Sequence, residues 1–517
     1  MTVRLLADHV RTRGDDLALA DERGTRSFAE FGDRTTRLVN ALGAAGLGPG
    51  TTIAIVAGNQ REYFEVMMAC AHAGITYIPI NWRWVADEIA YVFADANVRA
   101  VVVDGRYAET VAAALADERG AAVDLTLGID TDQFADYEAF VASGDPVAPA
   151  NQVLGGPMFY TSGTTGRPKG VRGSLTGDGT VPSEIMQLVA SSLSNYVPAN
   201  GRSLLCGPAY HSAQWAFSFF PLINGSSVVM QHHFDAAALC SLIDEYAITN
   251  VHLVPTQMKR LVDLPAEVRD AFGGSSLEAV WHGAAPCPPT VKRALIDWWG
   301  PIIGEYYGST EGAFISTITA PEWLRKGGSV GRPLDMMEVI VVDDNDQHVP
   351  AGGEGTLYFR NRMGIDFEYH NDPDKTAGAH LEPGVFTTGD VGYLDDEGFL
   401  WLSDRKIDMI ISGGVNIYPA EIEGALAAHP AVADVAVIGV PDDEWGESVK
   451  AVIQLKDEFV ADDALSQSLD EHCRGLLAGY KAPRSFDFVE SIPRTGTGKI
   501  EKRTLRAPYW DGHERKI

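Results

Sequence analysis

Cysteine is scarce and scattered in this sequence: Cys70, Cys206, Cys240, Cys287 and Cys473 are the five in 517 residues, and no two form a Cys-x-x-Cys pair. That argues against a disulfide framework or a thiolate zinc site and fits a reducing compartment. Cys287, in APCPP, has no motif to supply it with a base, so a structural thiol is expected there. Long apolar runs are also missing, with nothing near the roughly 18 residues that a spanning helix needs. The N-terminus, MTVRLLADHVRTRGDD, turns charged after a very short apolar run and lacks a secretory cleavage pattern, so a cytoplasmic protein is expected. Basic residues are few: 41 Lys and Arg face 70 Asp and Glu, a formal net charge of −29. Nucleic acid and anionic membranes are thereby disfavoured as partners. There is no internal repeat and no low-complexity tract.

At 517 residues the chain is too long for one ordinary core, and its 45% apolar composition is that of a soluble globular protein. Apolar runs at 52–56, 76–80 and 99–103 read as strands, and EYFEVMMACAHAG at 62–74 reads as a helix between the first two. This rhythm predicts α/β architecture with largely parallel strands. SGDPVAPANQ at 143–152 reads as a linker, and PMFY at 157–160 as a short strand entering a glycine-rich loop. Two further strands joined by a polar loop are expected in 431–455, within a small α+β unit. The natural place to divide the chain is DRKIDMI, 404–410.

The strongest motif is TSGTTGRPKG, Thr161 to Gly170. Its glycines and hydroxyls supply donors that can wrap phosphates, and Lys169 adds charge. It does not fit the Walker A spacing. EYYGSTEG (305–312), GAAP (283–286), TTGD (387–390) and PRTGTGK (493–499) follow further along the chain. Each alone could be a turn.

Together and in this order they resemble the ANL superfamily of adenylate-forming enzymes, in its acyl-CoA synthetase branch. The resemblance runs from about residue 160 to 499 and is looser before that. It implies a large N-terminal adenylate-forming domain with parallel-type sheets and subdomains (1–404), a hinge (405–408) and a small mobile C-terminal α+β domain (409–517). It further implies that ATP is bound by Thr161, Ser162, Gly163, Thr164, Thr165, Gly166 and Lys169, with Gly283, Ala284 and Ala285 against the adenine. Tyr306, Tyr307 and Gly308 continue that surface. Thr310 falls on the α-phosphate and Glu311 on Mg²⁺, a hard cation suited to carboxylate and phosphate oxygens. Asp390 falls on the ribose hydroxyls and Arg405 on ribose or phosphate. Lys499 is the expected stabiliser of the adenylation transition state. Coenzyme A contacts are implied for Gly413 and Gly414 in SGGVNIYPAEIE, for Trp445, and for Tyr480, Lys481 and Arg484 in GYKAPR.

Two departures stand out. The hinge position that relatives fill with Asp or Lys is Ile407, and alternation between two poses is expected to survive it. In PAYHSAQW, His211 occupies a gate position and is a candidate orienter of the acid. It is followed by Ser212 where amino-acid-activating relatives carry Asp, which disfavours an amino-acid substrate. The acyl pocket is expected to involve His211, Gln214, Trp215, His282, Tyr306, Gly308, Ala313 and Phe314, with no cation to pair a second carboxylate. The expected activity is ATP-dependent activation of a hydrophobic carboxylic acid, a medium or long fatty acid or a bulky alicyclic or aryl acid, followed by transfer to coenzyme A. Two alternatives stay open: an acyl-AMP ligase that loads a carrier protein's phosphopantetheine, and a non-catalytic nucleotide-binding protein. Homodimerisation is also left open.

Overall fold

The apolar run Thr52–Val56 forms the second strand of a five-stranded, wholly parallel sheet, ordered Thr76–Pro79, Thr52–Val56, Ala100–Asp104, Leu125–Ile129 and Ala135–Asp136. The expected helix between the first two strands runs Arg61–Ala73. Its one left-handed terminus is Gly74, whose φ of 68° a glycine takes without strain. These strands read as unbroken hydrophobic runs because helices cover both faces of the sheet. The computed structural model describes residues 2–162, 167–173, 176, 182, 184–192, 196–343, 345, 347–405, 408–412, 415–442, 445–477, 479–494 and 499–511.

A second, nine-stranded sheet carries the GAAP and EYYGSTEG motifs and the loop to His211. Its six parallel strands are ordered Ile303–Ser309, Ala279–His282, Asn250–Leu253, Arg202–Leu205, Ser227–Met230 and Leu17–Asp21. Antiparallel strands close its edges: Ala313–Ile318 and Arg332–Pro333 on one side, Gly24–Ser27 on the other. Open parallel sheets place ligands at the carboxyl ends of their strands. The loops at 207–211, 283–286 and 310–312 all leave from that edge. The short strand expected near 157–160 runs Phe159–Ser162 and joins Pro168–Gly173 and Phe367–Tyr369 in a small antiparallel sheet. The passage read as a linker is tied down, since the Asn40 amide donates to the carbonyls of Asp145 and Val147.

An antiparallel sheet of Met337–Val342, Gly355–Asn361, Val385–Leu394, His380–Glu382 and Leu400–Arg405 follows. The next strand, Ile410–Ser412, belongs to a separate sheet with Val415–Ile417, Val432–Asp442, Gly446–Leu455 and Ser485–Val489. That sheet and the helices Pro419–Ala427 and Asp463–Leu476 enclose a core of their own around Ile410, Ile422, Val437 and Ile453. Among the described residues no helix is long and apolar enough to cross a membrane.

Three fully buried histidines make the fold acid-sensitive. The His72 Nε2 accepts from Leu5 N at 3.1 Å while its Nδ1 donates to the Met68 carbonyl at 2.8 Å, so the ring is held neutral from both ends. Burial pushes His72 down to about 4 and His252 to about 3, and drives His282 well below the ordinary range. In each case the unfolded chain binds the proton more tightly. Stability is therefore fully present above about pH 6.5 and is lost as pH falls through the range where only the unfolded rings protonate. Each ring contributes about 1.4 kcal/mol per pH unit there. Urea midpoints measured from pH 7 to pH 4.5 should fall steeply, and His252→Asn should remove about that much of the slope; an unchanged slope would refute the assignment.

Candidate active site

TSGTTGRPKG is a hairpin and not a strand–helix loop. Thr161 pairs with Lys169 and Ser162 with Pro168 across two antiparallel strands. Among the described residues no helix N-terminus follows, so any phosphate recognition expected there would fall to loop backbone, hydroxyls and Lys169. The expected phosphate contacts Gly163, Thr164, Thr165 and Gly166 lie outside the described residues, as does the Ser162 side chain. The Lys169 ammonium stands 3.6 Å from the Asp372 carboxylate.

The second phosphate-side element is another hairpin. Ile303–Ser309 turns through 310–312 into Ala313–Ile318, with Ser309 paired to Ala313. The turn is tight: Ala313 has a φ of 54°, and Ser309 Oγ accepts from Gly312 N at 2.8 Å. It presents Thr310, whose hydroxyl is 3.1 Å from that of Ser212 at the start of the helix Ser212–Ile223. The Glu311 carboxylate accepts from the Tyr369 hydroxyl at 3.0 Å. A single carboxylate beside two hydroxyls fits Mg²⁺, which takes most of its ligands from phosphate and water.

On the nucleoside side, Tyr307 and Thr388 both donate their hydroxyls to Asp390 Oδ2. Asp390 is buried and aligned with Arg405 across the strands Val385–Leu394 and Leu400–Arg405. The two residues expected at the ribose, fifteen positions apart in sequence, are thus neighbours. Only the backbone of Arg405 is described. Gly283 has no room for a side chain, because a Cβ would meet Tyr306 at 2.7 Å, and Ala284 takes a left-handed φ of 68°. The GAAP segment is therefore shaped by packing and backbone geometry together.

Several of the residues expected at the acyl pocket lie on one face of the nine-stranded sheet or pack against it. Strand alternation and register align His252 with Trp281, and Trp281 with Gly304, on the same face as Tyr306. The helix Ser212–Ile223 lays Gln214 and Phe217 against this row. The Gln214 amide donates to His252 Nδ1 at 2.9 Å, and His252 Nε2 lies 3.0 Å from the Tyr306 hydroxyl. Phe217 stacks on His252 at 4.8 Å, and Phe314 meets Tyr306 edge-on at 4.8 Å. With the Gln214 nitrogen as donor, the neutral imidazole carries its proton on Nε2 and donates it to Tyr306. Asn59 fixes the turn before His211: it donates to the Gly207 and Gln231 carbonyls and accepts from Ala209 N.

Two expected pocket residues face elsewhere. Trp215 lies on the other side of its helix, stacked on Phe219, with its indole N–H on the Tyr77 hydroxyl. Two positions along a helix differ by about 200°, so Phe217 and not Trp215 turns to the sheet. His282 sits on the opposite sheet face from Tyr306, its Nε2 3.5 Å from Glu305. There Glu305 pairs with the fully buried Lys292, which also lies over Trp323 at 4.7 Å. Burial pushes Lys292 down and Glu305 up, and their mutual attraction opposes both shifts. The motifs did not reveal His252, Trp281, Phe217 or Asn59; only the period-2 pattern of Asn250–Leu253 and Ala279–His282 hinted at the first two. Cys287, as expected, behaves as a structural thiol pushed up by burial.

Lys499 has an exposed side chain and stands next to Ile500, which is bridged to Arg494; residues 495–498 lie outside the described residues. Gly413 and Gly414 lie outside the described residues, and Ile407 does too. Trp445 and Tyr480 are exposed, the Arg484 guanidinium lies 4.8 Å over Trp445, and Lys481 is paired with Glu421 at 2.6 Å.

Residues 6–365 match the AMP-binding enzyme family and residues 421–499 the AMP-binding enzyme C-terminal domain. The chain belongs to this family, within the CoA-ligase branch of the adenylate-forming ANL superfamily, and is an AMP-forming acid–thiol ligase that uses ATP and coenzyme A. It is similar to the medium/long-chain-fatty-acid–CoA ligase FadD8 of Mycobacterium tuberculosis, 32% identical over 97% of this chain and 88% of that protein. It is also similar to a feruloyl-CoA synthase of Amycolatopsis, 34% identical over 93% of this chain and 94% of that one. Among solved structures, the amide bond synthetase McbA of Marinactinospora thermotolerans superimposes with a TM-score of 0.84 at 27% identity, covering 98% of this chain and 99% of its own.

Gly308 links the two sides of the site. A Cβ there would stand 2.0 Å from the Ala313 carbonyl oxygen, which cannot move without opening the hairpin. Gly308→Ala should therefore reduce acyl-adenylate formation by roughly a hundredfold through misplacement of Thr310 and Glu311. Acid-dependent pyrophosphate release, with circular dichroism as a check on folding, measures this; near-normal activity would show that the hairpin position does not matter.

Proposed function

We propose that the acid is hydrophobic and carries a ring. The observation that supports this is the aromatic row of Phe217, Trp281, Tyr306 and Phe314, which offers flat faces and edges to a planar substrate. A carboxylate oxygen of the acid attacks the α-phosphorus of ATP, the bond to the β-phosphate breaks, and acyl-AMP and pyrophosphate form. Thr310 holds the α-phosphate, Asp390 and Arg405 the ribose, and the hairpin 161–170 the outgoing phosphates. Glu311 binds Mg²⁺, which neutralises charge on the departing pyrophosphate when bound. His211 orients the acid. Lys499 bridges the acid and the α-phosphate in the transition state.

The domains are 1–404 and 409–517, joined by a hinge at 405–408. Rotation about it replaces Lys499 with the face bearing Gly413, Gly414, Trp445, Tyr480, Lys481 and Arg484. The coenzyme A sulfur then attacks the acyl carbon and AMP leaves. The exposed Trp445 with Arg484 above it supports free coenzyme A as acceptor. Lys481 must first leave Glu421.

A panel of fatty, aryl and alicyclic acids, with MgATP and with or without coenzyme A, tests the assignment. Aryl acids should give the fastest pyrophosphate release, and acyl-CoA should form only when coenzyme A is present. Preference for long fatty acids would overturn the ring assignment, and adenylation without acyl-CoA would point to a carrier protein. Lys499→Ala should slow acyl-AMP formation roughly a hundredfold or more while sparing thioester formation from supplied acyl-AMP. Equal loss in both half-reactions would remove Lys499 from that role.

A further inference from the structure

The strand Pro168–Gly173 that leaves the phosphate hairpin pairs on its other edge with Phe367–Tyr369, aligning Val171 with Tyr369 and Gly173 with Phe367. His370 N then donates to the Gly170 carbonyl at 2.8 Å. This ladder delivers the following residues to the side of Lys169. Asp372 caps the short helix Pro373–Gly378 by accepting from Lys375 N at 3.1 Å, and the same carboxylate faces the Lys169 ammonium. The Lys375 side chain turns back along this surface. Its ammonium lies 4.0 Å over the Tyr369 ring, close enough to Lys169 for the two charges to repel each other, and the Tyr369 hydroxyl is the one that donates to Glu311.

Two lysines thus converge beside the phosphate hairpin and the Glu311 turn. Surface lysines ordinarily spread apart into water, so a half-buried pair that meets is a site shaped for a multiply charged anion. Asp372 is the ion partner of Lys169, and Asp372 and Glu311 attract the Lys375 ammonium without, among the described residues, forming an ion pair with it. A chain of net charge −29 that binds ATP needs such a concentrated patch of positive charge.

We propose that Lys375 completes a two-lysine clamp with Lys169 that holds the β- and γ-phosphates of ATP and then the pyrophosphate they become. Tyr369 sets the clamp's position by supporting Lys375 with its face and Glu311 with its hydroxyl. Burial and the neighbouring Lys169 hold Lys375 down at about 8, and a bound polyphosphate reverses the second of these effects. The clamp rests on the ATP-dependent reading for its ligand, but not on the identity of the acid.

The test is calorimetric binding of inorganic pyrophosphate with Mg²⁺, and separately of AMP, to the full-length enzyme and to Lys375→Met and Lys375→Arg. Pyrophosphate affinity should fall about tenfold or more in Lys375→Met and recover most of the way in Lys375→Arg. AMP affinity should be unchanged in both, as should acyl-CoA formation from supplied acyl-AMP. Unaltered pyrophosphate binding in Lys375→Met, or parallel loss of AMP and pyrophosphate binding, would overturn the clamp. The binding measurements need no acid, so failure of every acid in the panel would count against the substrate assignment proposed above and leave the clamp to be decided on its own.

Discussion

The parallel hydrogen-bond ladder through Ile303–Ser309, Ala279–His282, Asn250–Leu253 and Arg202–Leu205 is what the rest of the structure depends on. Parallel pairing requires each strand to return to the same edge before the next begins. Every crossover therefore leaves a loop at the carboxyl end, and the loops carrying His211, GAAP and the Thr310–Glu311 turn collect there. Register does the finer work. A shift of one residue at Ala279–His282 would exchange Trp281 for His282 on the acyl face and bury an aromatic ring against Lys292.

The two faces of that sheet solve different problems. Behind it, Lys292 and Glu305 form a buried ion pair against Trp323, and either charge would be costly alone. In front, a neutral relay from Gln214 through His252 to Tyr306 fixes ring positions without introducing a charge. Burial produces both outcomes: it pairs the ions on one side and strips the proton from the imidazole on the other. That face of the sheet stays uncharged although a histidine lies at its centre.

Charge is handled differently at the phosphates. The chain as a whole is acidic, and the two lysines proposed to face the nucleotide are gathered by antiparallel pairing. Lys169 comes from one hairpin and Lys375 from the segment stitched to its edge. Asp390 and Arg405 are brought together in the same way on a third sheet. Strand pairing is suited to this, because it fixes residues far apart in sequence at a spacing of about 5 Å.

The sequence by itself determined the alternation of strands and helices and the family. Those signals are local: apolar runs of strand length, and motifs whose glycines, hydroxyls and charges lie within ten consecutive residues. The tertiary structure decided which side chains share a surface. It turned Trp215 and His282 away from the Tyr306 face of the sheet and put Phe217, Trp281 and His252 on that face. It also brought Asn59 beneath the turn before His211 and Lys375 beside Lys169. The reason is physical. A motif records what a short stretch of backbone can do, whereas the facing of a residue depends on helix rotation, strand register and partners more than a hundred positions away, which no local pattern encodes.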